Sequence, residues 1–199
     1  MKRRVNLRRD ERGATLVEFA LVAPVLIVVM MGLLDMTYRL YATAMLNGEV
    51  QKAARDATLE SSSNAAALAA LDDRVKNGFR QVNGTVTDSN FVITRRNFTN
   101  FTNAGKMEPS TGPGGVCAPT FTYVDVNNSG AYDDGANSGQ GGADDVTLYT
   151  VRVTYKSLFP VNALYGASTN QTITSQTVLL NQPFNGQAVR PVGPTRACV

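Results

Sequence analysis

Histidine is missing from this chain altogether. That removes Ser-His and Cys-His nucleophile pairs and the commonest zinc ligand. No phosphate-cradling glycine loop and no Gly-x-Ser-x-Gly elbow appears either. The adjacent carboxylates Asp72-Asp73, Asp133-Asp134 and Asp144-Asp145 sit among polar residues and read as loop or cap charges rather than a tuned acid and base. The chain is therefore not expected to be an enzyme. A basic face is also lacking, despite a formal charge of +3. The first 13 residues hold Lys2, Arg3, Arg4, Arg8, Arg9 and Arg12 against Asp10 and Glu11, so the remainder is close to neutral. A nucleic-acid partner needs a basic surface on the folded part, and none is expected. Cysteine is down to two, Cys117 and Cys198. The pair suits one disulfide in an oxidising compartment, or two free thiols.

Charge is scarcest where apolar residues are most abundant. From Ala14 to Leu34 the only ionisable side chain is Glu18, and about 21 such residues suffice to cross a bilayer as a helix. Basic residues before the span keep that end in the cytoplasm and send the C-terminal part outside. A carboxylate within a hydrophobic span costs roughly 2.5–3.5 kcal/mol, so it usually has a function. The span continues as helix: Val50, Ala53, Ala54 and Ala57 recur at i, i+3, i+4 and i+7, which lines one face. Tyr38 and Tyr41 fall where interfacial aromatics are found. Pro24 should kink the helix without ending it. Asp35, with Arg39 at i+4, reads as a solvated helix pair or a partner contact. The chain thus divides into a basic cytoplasmic leader over 1–13, a helix over 14–60 with its span at about 14–34, and an extracytoplasmic domain over 61–199.

That domain reads as α+β. Asn64 is placed to cap a short helix over Ala65 to Gln81. Period-two runs follow at 85–87, 90–95, 120–126, 149–156 and 172–180. The clearest is Tyr149 to Lys156, alternating apolar and polar residues, as a strand with one buried face does. No helix-length apolar pattern separates the runs, which predicts an antiparallel sheet. The tail from Pro183 to Val199 carries three prolines and is expected to be irregular.

One loop has a ligand-like spacing. Asp125, Asn127, Ser129 and Asp133 stand at the first, third, fifth and ninth places, Gly130 stands at the sixth, and Ala131 offers its carbonyl. Calcium loops of the EF-hand and dockerin type follow this order. Ala136 replaces the bidentate glutamate of the twelfth place, and no helix flanks the loop. A weak calcium site that stiffens the loop and a solvated Asx-rich turn both fit these residues.

The residues from Arg12 through Gly13, Ala14, Glu18 and Phe19 to Pro24 resemble the N-terminus of type IV prepilin-like proteins. They are most similar to the TadE-like proteins of the tight-adherence (Tad) pilus system. The run Asn181-Gln182-Pro183-Phe184 also looks like the C-terminal part of some TadE-like proteins. The resemblance implies that a membrane prepilin peptidase cuts between Gly13 and Ala14. It also implies that the exposed helix packs against other pilins, pseudopilins or Tad assembly-platform proteins, with Glu18 meeting the α-amine of a neighbouring subunit. The chain would lie in a bacterial inner membrane as a single span with a periplasmic domain, and in the extracellular pilus after assembly. Its expected function is that of a minor pilin or pseudopilin with a priming, capping or platform role. The bland alternative is an uncleaved signal anchor carrying an outer binding or adhesin domain with a calcium-stiffened loop. A third, signal peptidase cleavage after Ala42-Thr43-Ala44, conflicts with the intervening Asp35 and Arg39.

Overall fold

The computed structural model describes residues 13–58, 64–102, 104–182 and 193–198. It is α+β, as expected: a long helix α1 (Ala14–Ala57), a shorter helix α2 (Ala65–Val82), and antiparallel sheets. Six strands follow in chain order: β1 (Phe91–Phe98), β2 (Thr122–Val124), β3 (Asn137–Ser138), β4 (Val146–Lys156), β5 (Asn170–Leu180) and β6 (Thr195–Ala197). The chain forms two compact units, Met1–Tyr41 (described from Gly13) with Lys156–Gln171, and Ala42–Tyr155 with Thr172–Val199.

The first unit contains the apolar part of α1. Leu16, Phe19, Leu21, Val25, Leu26, Ile27, Met30 and Leu33 are all exposed. A helix apolar all round finds its solvent in lipid or in a protein core, and this stretch has no core around it. The helix is continuous through Pro24. The other segment of this unit is the β4–β5 connection, with a 3₁₀ turn at Pro160–Tyr165 ended by Gly166 in the left-handed conformation.

In the second unit the pattern on α1 changes from all-round to one-sided. Ala42, Leu46, Val50, Ala53, Ala54 and Ala57 are buried, a stripe that extends the expected face by two turns toward the N-terminus. Asn64 caps α2, its Oδ1 accepting the Ala67 N–H at 2.8 Å. Leu71, Val75 and Phe79 form the buried face of α2. Phe79 meets the edge of Phe91 with ring centroids 6.0 Å apart and lies 6.1 Å from Tyr155, so the helix covers one side of the sheet. Strand order is β3-β1-β4-β5. In β4 the side chains of Tyr149, Val151, Val153 and Tyr155 alternate inward, the face its sequence period marked out.

A polar cluster pins α2 to that sheet. Asp72 accepts from the two terminal guanidinium nitrogens of Arg95, at 2.8 and 2.5 Å, and from the Tyr149 hydroxyl at 2.7 Å. Arg95 also lies 4.5 Å over the Tyr149 ring. Burial and the neighbouring carboxylate push the Tyr149 phenol well above its ordinary value. Asp72 is thus half of a partly buried ion pair, and Asp145 is fully buried and accepts the Gly142 N–H at 2.7 Å. The polar surroundings read from sequence hold for neither, because the residues that bury them arrive from distant strands.

Three local expectations give way. Residues 85–87 form no strand, because the side chains of Thr87 and Asn90 close a 3₁₀ turn at Asp88–Asn90. The loop after Asn127 contributes β3, held to β1 by the buried Asn97, whose Nδ2 donates to Gly139 O at 3.0 Å. The tail contributes β6, paired with β2 in a separate two-stranded sheet; residues 183–192 lie outside the described residues. Such two- and three-residue strands carry too few residues to show a period.

Candidate functional site

The start of α1 has two chemically unusual positions, Gly13 and Glu18. Among the described residues a Cβ on Gly13 would meet nothing within 4 Å, so their packing makes no use of this glycine's small size. Ala14 opens the helix. Glu18 follows after one turn and is exposed, and among the described residues nothing pairs with it. Leu16, Val17, Phe19, Leu21 and Val22 around it are exposed as well. An apolar surface of this extent marks an interface with lipid or with another protein. A carboxylate set in it calls for a cation from outside the helix, since helical neighbours at i±3 and i±4 (Thr15, Ala14, Leu21, Val22) supply none.

Asp35 lies about 25 Å along the helix from Glu18. Its Oδ1 accepts the backbone N–H of Leu158 at 2.9 Å. This tie between the end of the apolar stretch and the β4–β5 connection has no trace in sequence, where 123 residues separate the two.

The model of the TadE-like protein family matches residues 13–57. This N-terminal segment is TadE-like. The match spans Gly13 and the whole of α1, and makes this segment, under a quarter of the chain, similar to pilin-like proteins of the Tad pilus. It takes in Gly13, Ala14, Glu18, Asp35 and the stripe beyond Tyr41, and ends where the helix ends. No curated protein and no solved structure matches the chain. The run from Asn181 lies outside the match. Asn181 is buried and donates to the carbonyls of Gln140 and Gly142 at 2.8 Å.

Beyond the TadE-like segment, the five-position loop is closed by donors from the protein. Asp125 is fully buried. Its Oδ1 accepts the Ser129 N–H and its Oδ2 the Gly130 N–H, both at 2.9 Å, and Arg196 Nε donates to Oδ2 at 2.5 Å. Asn127 Nδ2 donates to Asp133 Oδ1 at 3.0 Å, and Ser129 Oγ donates to the Ala131 carbonyl at 3.1 Å. All five expected ligand residues are brought together, and Arg196 supplies the positive charge beside the first of them. Among the described residues no group of three His, Cys, Asp or Glu side chains is arranged to hold a metal. Arg196 escaped the sequence reading because it lies in the proline-bearing tail; nearby Cys198 was the only signal there.

Cys117 and Cys198 are joined in a disulfide with Cα atoms 5.4 Å apart. Strand β6 runs directly into it, and the Cys198 N–H donates to Phe121 O at 2.9 Å. Just before β6, Gly193 passes so close to the backbone of Asp125 that a Cβ would lie 2.0 Å from the Asp125 carbonyl oxygen.

Two neighbouring carboxyls in this region titrate in opposite directions. Burial opposes ionisation of Asp125, but the Gly130 and Ser129 amides and the Arg196 guanidinium outweigh it and hold the carboxyl below the usual value of 3.8. Burial raises Glu108 above the usual 4.5 despite bonds from the amides of Val126 and Asp133. A lowered carboxyl stabilises the fold above its unfolded-state value, and that contribution is lost as pH falls through the folded value. A raised one contributes at low pH and loses it as pH rises. Arg196→Gln is therefore expected to lower the melting temperature at neutral pH. The difference from the native chain should shrink as pH falls below 3.8. A difference independent of pH, measured by thermal melting at both ends, would refute this account of the pair.

Proposed function

We propose that this chain is a minor pilin or pseudopilin of a Tad-type pilus, cut between Gly13 and Ala14 by a prepilin peptidase and used in assembly of the fibre in a priming, capping or platform role. The observation that carries the reading is a lone carboxylate, Glu18, on the exposed apolar part of a helix that begins immediately after Gly13. A peptidase must bring its carboxylates against the backbone at the cut, and glycine presents no side chain there. Packing among the described residues has no need of glycine at that position, which supports a need arising elsewhere. Cleavage would free the Ala14 amine, and the amine of an adjacent copy is a cation that Glu18 can meet within lipid. The leader over 1–13 would stay in the cytoplasm of the inner-membrane form, and the domain beyond the helix would lie in the periplasm. The disulfide supports that placement, since such bonds persist in oxidising compartments.

The expected mature chain starts at Ala14. Intact-mass measurement of protein recovered from cells carrying the peptidase checks this: a chain retaining residues 1–13 would leave an uncleaved anchor instead. That second reading, an anchored binding protein with a calcium-held loop, draws on the convergence of Asp125, Asn127, Ser129, Ala131 and Asp133. Calcium there would have to displace Arg196 from Asp125. A rise in melting temperature on adding calcium would favour it; no rise is expected.

A further inference from the structure

The β4–β5 connection carries an apolar run, Leu158-Phe159-Pro160-Val161, with Leu158 56% exposed. One exposed leucine is ordinary on a protein surface. Three observations make this one different. First, the connection is fixed rather than loose: Ser157 N–H donates to Thr169 O at 2.8 Å, Ala167 N–H to Asn162 O at 3.0 Å, and Val161 N–H to Phe159 O at 2.8 Å. Second, it is tied to α1 by the 2.9 Å bond from Leu158 N–H to Asp35. Asp35 directly follows Leu34, where the apolar stretch ends, and in the same unit α1 exposes Leu33, Leu34, Met36 and Leu40. Third, residues 156–171 contain no acidic side chain, and Lys156 and Arg39 are exposed, so the charge suits lipid phosphates.

We infer that the β4–β5 connection is a second membrane contact, in which Leu158, Phe159 and Val161 rest at the headgroup–acyl boundary of the bilayer that α1 crosses, held at that depth by Asp35. The inference rests on the reading of α1 as a span. Apolar groups at such a boundary lie about 5–10 Å into it, which is where a backbone tied to the last turn of the span would place them. Asp35 then acts as a positioning residue: its carboxylate satisfies the Leu158 N–H where water is scarce and sets the height of the connection.

The chain has no tryptophan, so an introduced one reports without background. Full-length Leu158→Trp, Leu26→Trp and Val92→Trp proteins would be reconstituted in vesicles of phosphatidylethanolamine and phosphatidylglycerol carrying bromines at shallow or deep acyl positions. All three sites are about half exposed, at 56, 53 and 55%. The expected result is blue-shifted emission from Leu158→Trp, quenched most by shallow bromines, with Leu26→Trp quenched by deep ones and Val92→Trp by neither. Asp35→Ala in the Leu158→Trp background should reduce the shallow quenching; unchanged quenching would overturn the positioning role. Leu158→Trp emission like that of Val92→Trp, beside a deeply quenched Leu26→Trp, would overturn the second contact and leave the span intact. A blue shift without quenching would mean contact with protein and would also overturn it. An unquenched Leu26→Trp would instead remove the span on which the inference stands.

Discussion

Glu18→Ala is expected to stop fibre assembly while leaving cleavage after Gly13 intact. Removing the carboxylate makes the helix more apolar, so membrane insertion is favoured by roughly 2.5–3.5 kcal/mol. Recognition at the cut, five residues upstream, keeps its glycine and basic leader. What is lost, on the proposed reading, is the partner for the α-amine of the next subunit. Breaking one side of a buried pair costs about 3–5 kcal/mol, because the remaining charge stays buried and unpaired. In a fibre the loss recurs at every copy with this contact. For a tip or platform subunit it occurs once, at the step that starts assembly. The measurement is paired: intact mass of the membrane-bound chain for cleavage, and the yield of sheared surface fibres for assembly. Normal fibre yield from the alanine variant would refute the pairing of Glu18 with an amine. Glu18→Gln, which keeps shape and removes charge, should behave as alanine does.

Losing the disulfide is the second large effect. The Cys117–Cys198 bond closes a segment with a sequence separation of 81. The chain-entropy estimate for such a loop is about 4.5 kcal/mol, and native disulfides typically contribute about 2–4 kcal/mol. The bond also secures β6, whose three residues pair with the three of β2 in a two-stranded sheet. A two-stranded pairing this short has little independent stability. Releasing Cys198 would therefore free β6, and with it Arg196 would leave the buried Asp125. Replacing both cysteines by alanine should lower the melting temperature of the full chain by roughly 4–16 °C, taking about 2–4 °C per kcal/mol for a chain of this size. Circular dichroism of the chain in detergent, with and without reductant, checks this. A melting temperature unmoved by reductant and by the double substitution would show that β6 is held by its other contacts alone.

Much of the organisation was legible before any coordinates. The Ala14–Ala57 helix, its change from all-round to one-sided apolar character, the Asn64 cap and the alternation of β4 all follow from local periodicity. A helix of 3.6 residues per turn or a strand of period two repeats enough times over such lengths to be unmistakable. The short strands β3 and β6 were not legible. Nor were the environments of Asp72, Asp145 and Glu108, which sequence placed among polar neighbours or passed over. Each is buried by residues from far along the chain, and burial of a carboxylate leaves no local pattern.

Gly13, Ala14 and Glu18 belong to the part of this protein that sequence decides unaided, because a membrane acts on a linear run of residues and needs no tertiary partner to read it. The closing of the Asp125 loop by Arg196, the joining of Cys117 to Cys198 and the tie of Asp35 to Leu158 were decided by the tertiary structure. Those contacts span from 71 to 123 residues, and only packing of the intervening elements brings such distant atoms within hydrogen-bonding or covalent reach.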